Sequence, residues 1–162
     1  MRAIIALLLF ISPIAAQKDL PPELRAPAPR HLSLATSAGA SSGAPGSKLS
    51  LFVDIVPKPG IHVYAPGAKN YRAIGWTLGP TSGVTVGKIA YPASELLFFA
   101  PLKETVPVYQ RPFRLTRDIT ISSSTKRSET LGLSGTIEYQ ACDDKVCFVP
   151  ESVAVRWSIT VR

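Results

Sequence analysis

The sequence predicts an all-β domain, an antiparallel sandwich of two sheets. Three observations predict it: short runs in which apolar and polar residues alternate, clusters of glycine, proline and serine between those runs, and no stretch with a sustained helical period. Alternation at period two buries one face of a strand and wets the other. Turn signals at this spacing suit roughly seven to nine short strands.

Taken in order, "SKLSLFVDIVP" sets Leu49, Leu51, Val53 and Ile55 on one face. "FRLTRDITIS" does the same with Phe113, Leu115, Ile119 and Ile121. "ESVAVRWSITVR" has the cleanest alternation, with Val153, Val155, Trp157, Ile159 and Val161 on one side and Ser152, Arg156, Ser158 and Thr160 on the other. Turns are expected at "SAGASSGAPGS" (37–47), "PKPG" (57–60), "GPTSG" (79–83) and "SSSTKRSE" (122–129). Trp76 and Trp157 are assigned to the core, where large amphipathic rings bury most area.

The first residues, "MRAIIALLLFISPIAAQKD", carry one positive charge, an apolar run from Ala3 to Ile11 and small residues at Ala15 and Ala16. That is the pattern of a secretory signal peptide, too short to span a bilayer and broken at Ser12 and Pro13. We read 1–16 as the signal peptide, 17–30 as a flexible, proline-rich lead-in and 31–162 as one domain, periplasmic or secreted, with no stable membrane insertion of the mature chain. In an exported chain, disulfides persist. The formal charge of +7 is scattered, with Lys126 and Arg127 the only adjacent basic pair. A nucleic-acid surface would cluster it, so no nucleic-acid partner is expected.

The only cysteines, Cys142 and Cys147, lie in "YQACDDKVCFVP". "DDKV" suits a four-residue hairpin loop that sets the two sulfurs opposite each other, within disulfide range. In the strand "LSGTIEYQAC", Ile137, Tyr139 and Ala141 share one face and Cys142 falls on the other, so unbroken alternation points Cys142, and with it Cys147, away from the core. A bulge at the strand end would reverse this. As a brace the bond is weak, since a ring of about six residues restrains the unfolded chain by roughly 2 kcal/mol. The residues alone leave two readings open: a structural staple in a non-catalytic binding module, or a redox couple. Asp143 and Asp144 disfavour a thiolate at Cys142, with Lys145 the one local opposing charge, so both thiols are expected to be sluggish nucleophiles.

"YQACDDKVCFVPE", together with "PGIHVYAPGAKNY" upstream, resembles the N-terminal domain of the thiol:disulfide interchange protein DsbD, the disulfide bond corrector family. The matching positions are Tyr139, Gln140, Cys142, Cys147 and Pro150, and the likeness extends over His31 to Arg162. It implies an immunoglobulin-like sandwich in which Cys142 and Cys147 are the catalytic redox couple. It implies partners that are separate membrane or periplasmic oxidoreductases, because the chain stops at Arg162 without the further domains of full-length members. It also implies an aromatic cap over the pair. "YPASELLFFAPLKE" is the matching region, with Phe98 or Phe99 as shield and Glu95 as its acidic neighbour; a buried strand is the competing reading of "LLFF".

Tyr64 and Tyr139 are expected to frame the core near the hairpin, with Pro150 closing the motif. His31 and His62 have no paired-ligand spacing, so no metal is expected, and no cofactor. Neither G-x-S-x-G nor a phosphate-binding loop is present. The chain is expected to be a monomeric electron-relay domain.

Overall fold

The computed structural model describes residues 29–100 and 103–162. The expected signal peptide and nearly all of the lead-in lie outside them. The described residues form twelve strands and no helix: β1 (Leu32–Ala38), β2 (Ser42–Gly43), β3 (Lys48–Pro57), β4 (His62–Tyr64), β5 (Gly75–Leu78), β6 (Val84–Ala90), β7 (Glu95–Phe99), β8 (Glu104–Tyr109), β9 (Phe113–Ile121), β10 (Thr130–Tyr139), β11 (Ala141–Cys142) and β12 (Glu151–Val161). The count exceeds the expected seven to nine because β2, β4 and β11 hold two or three residues each, too few to show a period.

The strands make three four-stranded sheets, ordered β1-β3-β9-β6, β2-β12-β10-β5 and β11-β4-β8-β7. Every pairing is antiparallel except the two rungs that join β2 to β12. The first two sheets supply the sandwich. Leu51, Val53 and Ile55 of β3 and Leu115, Ile119 and Ile121 of its neighbour β9 line the inner side of the first sheet, and the alternating Val153, Val155, Trp157, Ile159 and Val161 of β12 close over them in one buried cluster. Side chains of this size contribute about 1.5–3 kcal/mol each when fully buried, which makes this cluster the main source of cohesion between the two sheets.

Trp76 and Trp157 stack within that core, ring centroids 5.1 Å apart. The Trp157 indole N–H donates to the Ser37 carbonyl at 2.9 Å, and Thr36 Oγ1 donates to the Arg156 carbonyl at 3.1 Å. These two bonds tie edge strand β1 to β12 and close one side of the sandwich. The third sheet sits at the end of the molecule where β10 gives way to β11, and it carries the cysteines.

Candidate functional site: a half-sheltered disulfide

The site begins where the long β10–β12 ladder ends, at the pair Tyr139 and Glu151. Gln140 breaks the strand, and its side chain explains the change of partner. Its Oε1 accepts from the Arg72 amide at 3.0 Å, while its Nε2 donates to the Phe148 carbonyl at 3.3 Å. Past this clamp, β11 leaves the second sheet and pairs with β4, setting Ala141 opposite Val63 and Cys142 opposite His62.

Alternation through this crossing corrects the sequence reading of Cys142. The residue does turn to the face opposite Ala141, but that face is not open to solvent. Tyr64, Val106 and Val108 form a second, smaller cluster there, with Ala68, Tyr71 and Leu97 packed around it, and Cys142 is 1 % exposed within it. Cys147, on the returning arm, is exposed. The expected pair of exposed sulfurs is therefore one buried and one open.

The hairpin itself is as anticipated. Cys142 and Cys147 form an antiparallel bridge with Cα atoms 4.1 Å apart and a disulfide between them. Asp143 shapes the loop: its Oδ1 accepts from the amides of Lys145 at 2.8 Å and Val146 at 2.7 Å. Those backbone N–H groups hold its carboxyl below the usual carboxylate range. Two further backbone bonds, Asp143 N to Val146 O and Phe148 N to Ala141 O, lock the two arms.

Tyr64 covers the bond. Its hydroxyl lies 3.2 Å from Cys142 Sγ and 3.4 Å from Cys147 Sγ, and because disulfide sulfurs carry no hydrogen the phenol is the donor to both. Its ring stacks on Tyr71 with centroids 4.0 Å apart, and the Tyr71 hydroxyl donates to Glu104 Oε1. Burial pushes the Tyr64 hydroxyl well above the ordinary phenol range, and the neighbouring Tyr71 and Glu104 push it the same way. The group stays protonated and remains a donor. Tyr71 and Glu104 were not singled out in the sequence; Tyr71 ends the quoted "PGIHVYAPGAKNY", and its distance from the cysteines hides it.

Register sorts the remaining residues. Tyr64 pairs with Val108, Glu95 also pairs with Val108, Leu97 with Val106 and Phe99 with Glu104. Directly paired residues share a face, so Glu95, Leu97 and Phe99 lie on the face of Cys142 and His62, whereas Leu96 and Phe98 lie on the other. Phe98 is 61 % exposed, and Leu97 is the β7 residue packed against the cluster that holds Cys142. Glu95 forms an ion pair with Arg111 at 3.0 Å. Tyr139 is buried with Glu151 beside it, and burial followed by that carboxylate pushes its hydroxyl upward. Pro150 is exposed just before β12. His31 stacks on Phe148, centroids 3.8 Å apart, behind the returning arm.

A family model described as the N-terminal domain of thiol:disulfide interchange protein DsbD matches residues 30–157. The chain belongs to this family. No curated protein matches the sequence. Among solved structures, the N-terminal periplasmic domain of ScsB from Proteus mirabilis is similar, at TM-score 0.56 and 13 % identity, over 83 % of this chain and 49 % of that one. The chain thus spans about half the length of that structure. The reduced N-terminal domain of Neisseria meningitidis DsbD superposes at TM-score 0.46 and 16 % identity, over 78 % of this chain and 85 % of that one. As a DsbD N-terminal domain, the chain is an immunoglobulin-like sandwich of the thiol:disulfide interchange class. Among the described residues no three His, Cys, Asp or Glu side chains converge as metal ligands.

Proposed function

We propose that this domain relays electrons by exchanging its Cys142–Cys147 disulfide with the thiols of a separate partner oxidoreductase, and that Cys147 is the sulfur the partner attacks. The observation that carries the reading is the unequal shelter of the two sulfurs. A thiolate must approach along the S–S axis on the side of the sulfur it attacks. Cys147 offers that approach, and Cys142 is closed off beneath Tyr64.

The chemistry follows from this asymmetry. A partner thiolate attacks Cys147 Sγ, the bond to Cys142 breaks, and Cys142 leaves as a thiolate facing the Tyr64 hydroxyl. The second partner thiol then attacks its own sulfur in the mixed disulfide and releases Cys147. Two electrons and two protons end on the pair, and the partner leaves oxidised. Val146 and Val149, 52 % and 82 % exposed, flank Cys147 and give the partner an apolar surface to dock on. The family, the signal-like N-terminus and the crosslink together support an exported, periplasmic or secreted domain spanning 31–162, preceded by a signal peptide over 1–16 and a lead-in over 17–30. Phe99, by its face, is the better of the two candidate shields.

Trapping tests the proposal. A Cys142→Ala variant expressed in its native envelope should accumulate mixed disulfides through Cys147, and the reciprocal Cys147→Ala variant should accumulate few. Equal trapping by the two, or none by either, would reject the assignment.

A further inference from the structure

One buried ionisable side chain at this site has no part in the exchange just described. His62 is 5 % exposed and, among the described residues, is the one buried side chain outside the apolar and aromatic core. It is the direct cross-strand partner of Cys142. In an antiparallel pair, such partners share a face with Cβ atoms about 4.5–5.5 Å apart, which sets the imidazole beside the cysteine on one face of the β4–β11 pair. The His62 ring also stands edge-on to Tyr64, centroids 5.4 Å apart at 87°. Imidazole, phenol and inner sulfur therefore occupy one sheltered corner.

This corner faces a specific problem when the reduced pair gives up its electrons. Cys147 can attack a partner disulfide from solvent, forming a mixed disulfide. The partner leaves only when Cys142 attacks Cys147 Sγ, and for that Cys142 must lose its proton while buried, where a thiolate is disfavoured. Water is largely excluded from this position. We propose that His62 is the group that takes the proton from Cys142 in this step and returns it in the reverse direction. The proton passes from Cys142 Sγ to an imidazole nitrogen, the Cys142–Cys147 bond forms, the Cys147–partner bond breaks, and the partner sulfur departs with the electron pair. In the opposite direction Cys142 leaves as a thiolate, and a proton taken up by the imidazole is then passed to it. The inference rests on the exchange reading above.

The other ionisable groups around the imidazole are unsuited to the task. Tyr64 is held protonated by burial and can donate but not accept. The Lys145 and Val146 amides donate to Asp143 Oδ1 and hold that carboxyl below the usual carboxylate range, which makes it a poor proton acceptor. Glu104 accepts from Tyr71, whose ring lies beyond Tyr64. Burial lowers the His62 pKa below its ordinary value, against an opposing pull from Asp143, so the ring is neutral and able to accept at neutral pH.

The test is stopped-flow reaction of the reduced full domain with dithiobis(nitrobenzoate), which releases one coloured thiolate when Cys147 is loaded and a second when Cys142 closes the ring. In the wild type, the second release should hold its rate down to a break below about pH 6.5, the ordinary imidazole value. His62→Gln should slow only that release, by about 100-fold at neutral pH, with the rate recovering in proportion to hydroxide as pH rises. A wild-type second release that climbs steadily toward the thiol range would overturn the proposal without recourse to any variant. So would a folded His62→Gln domain with an unchanged profile. The two layers fail differently: absence of a second release in the wild type rejects the exchange reading itself, while a normal second release indifferent to His62 rejects only the proton acceptor.

Discussion

The β10–β12 ladder and the β11–β4 pair are both antiparallel, and β11 follows β10 after a single residue, yet they follow different rules. In the ladder ten rungs run from Thr130–Thr160 to Tyr139–Glu151, and from Val153 to Val161 along β12 every second residue is buried. One face meets the core and the other meets water, so parity alone decides burial. The β11–β4 pair has two rungs, and both of its faces are covered. Ala141 and Val63 join the main core, while Cys142 joins the small cluster behind Tyr64. The ladder stabilises the fold; the short pair shapes an environment around one sulfur.

Stability measurements should separate the two regions most sharply. Trp157→Ala, in the ladder, should cost about 3–5 kcal/mol in urea denaturation. Replacing Cys142 and Cys147 together by serine should cost no more than about 2 kcal/mol and leave a folded domain, because a small ring restrains the unfolded chain only modestly. A double-serine variant that unfolds would make the crosslink a brace and collapse the distinction.

Within the site, Tyr64→Phe keeps the ring and its stack on Tyr71 but removes the donor that receives the leaving thiolate. A hydrogen bond to a charged group contributes about 1.5 kcal/mol or more, so opening of the disulfide by dithiothreitol should slow about tenfold with little change in melting temperature. Alkylation of the reduced pair gives a finer comparison. Phe99→Ala should accelerate it more than Phe98→Ala, because only Phe99 shares the face of Cys142; the reverse order would contradict the register argument.

The smallest effect belongs to the loop. Asp143 has its carboxyl pKa lowered by the turn amides, so its contribution is present above the unfolded value and fades as pH falls through the folded one. Acid titration of stability should show that loss in the wild type and not in Asp143→Asn.

The same contrast explains what could be read from the chain in advance. β3, β9 and β12 are long enough for period two to emerge, and the residues the alternation names are buried except at strand ends, where Leu49 and Phe113 are half-buried. The hairpin and the cysteine pairing were legible from spacing together with the family motif. The shelter of Cys142 was not, because it depends on β4 and β8 arriving from elsewhere in the chain to cover a face that local sequence marks as polar. Tyr71 and Glu104 were missed for the same reason: they meet Tyr64 across separations that carry no local pattern. Between Phe98 and Phe99, adjacent in sequence and equal in composition, only the pairing register distinguishes.

The arms of the cysteine hairpin are joined by bonds that do not involve sulfur: Asp143 to Val146, Phe148 to Ala141, and the Gln140 amide to the Phe148 carbonyl. Opening the disulfide leaves all three intact, so the freed thiols stay side by side instead of swinging apart. Such a carrier discharges in one motion, since the moment an acceptor seizes the outer sulfur its neighbour is already in place to evict it. Speed of turnover is thus written into the peptide scaffold, and half-finished adducts have little time to linger.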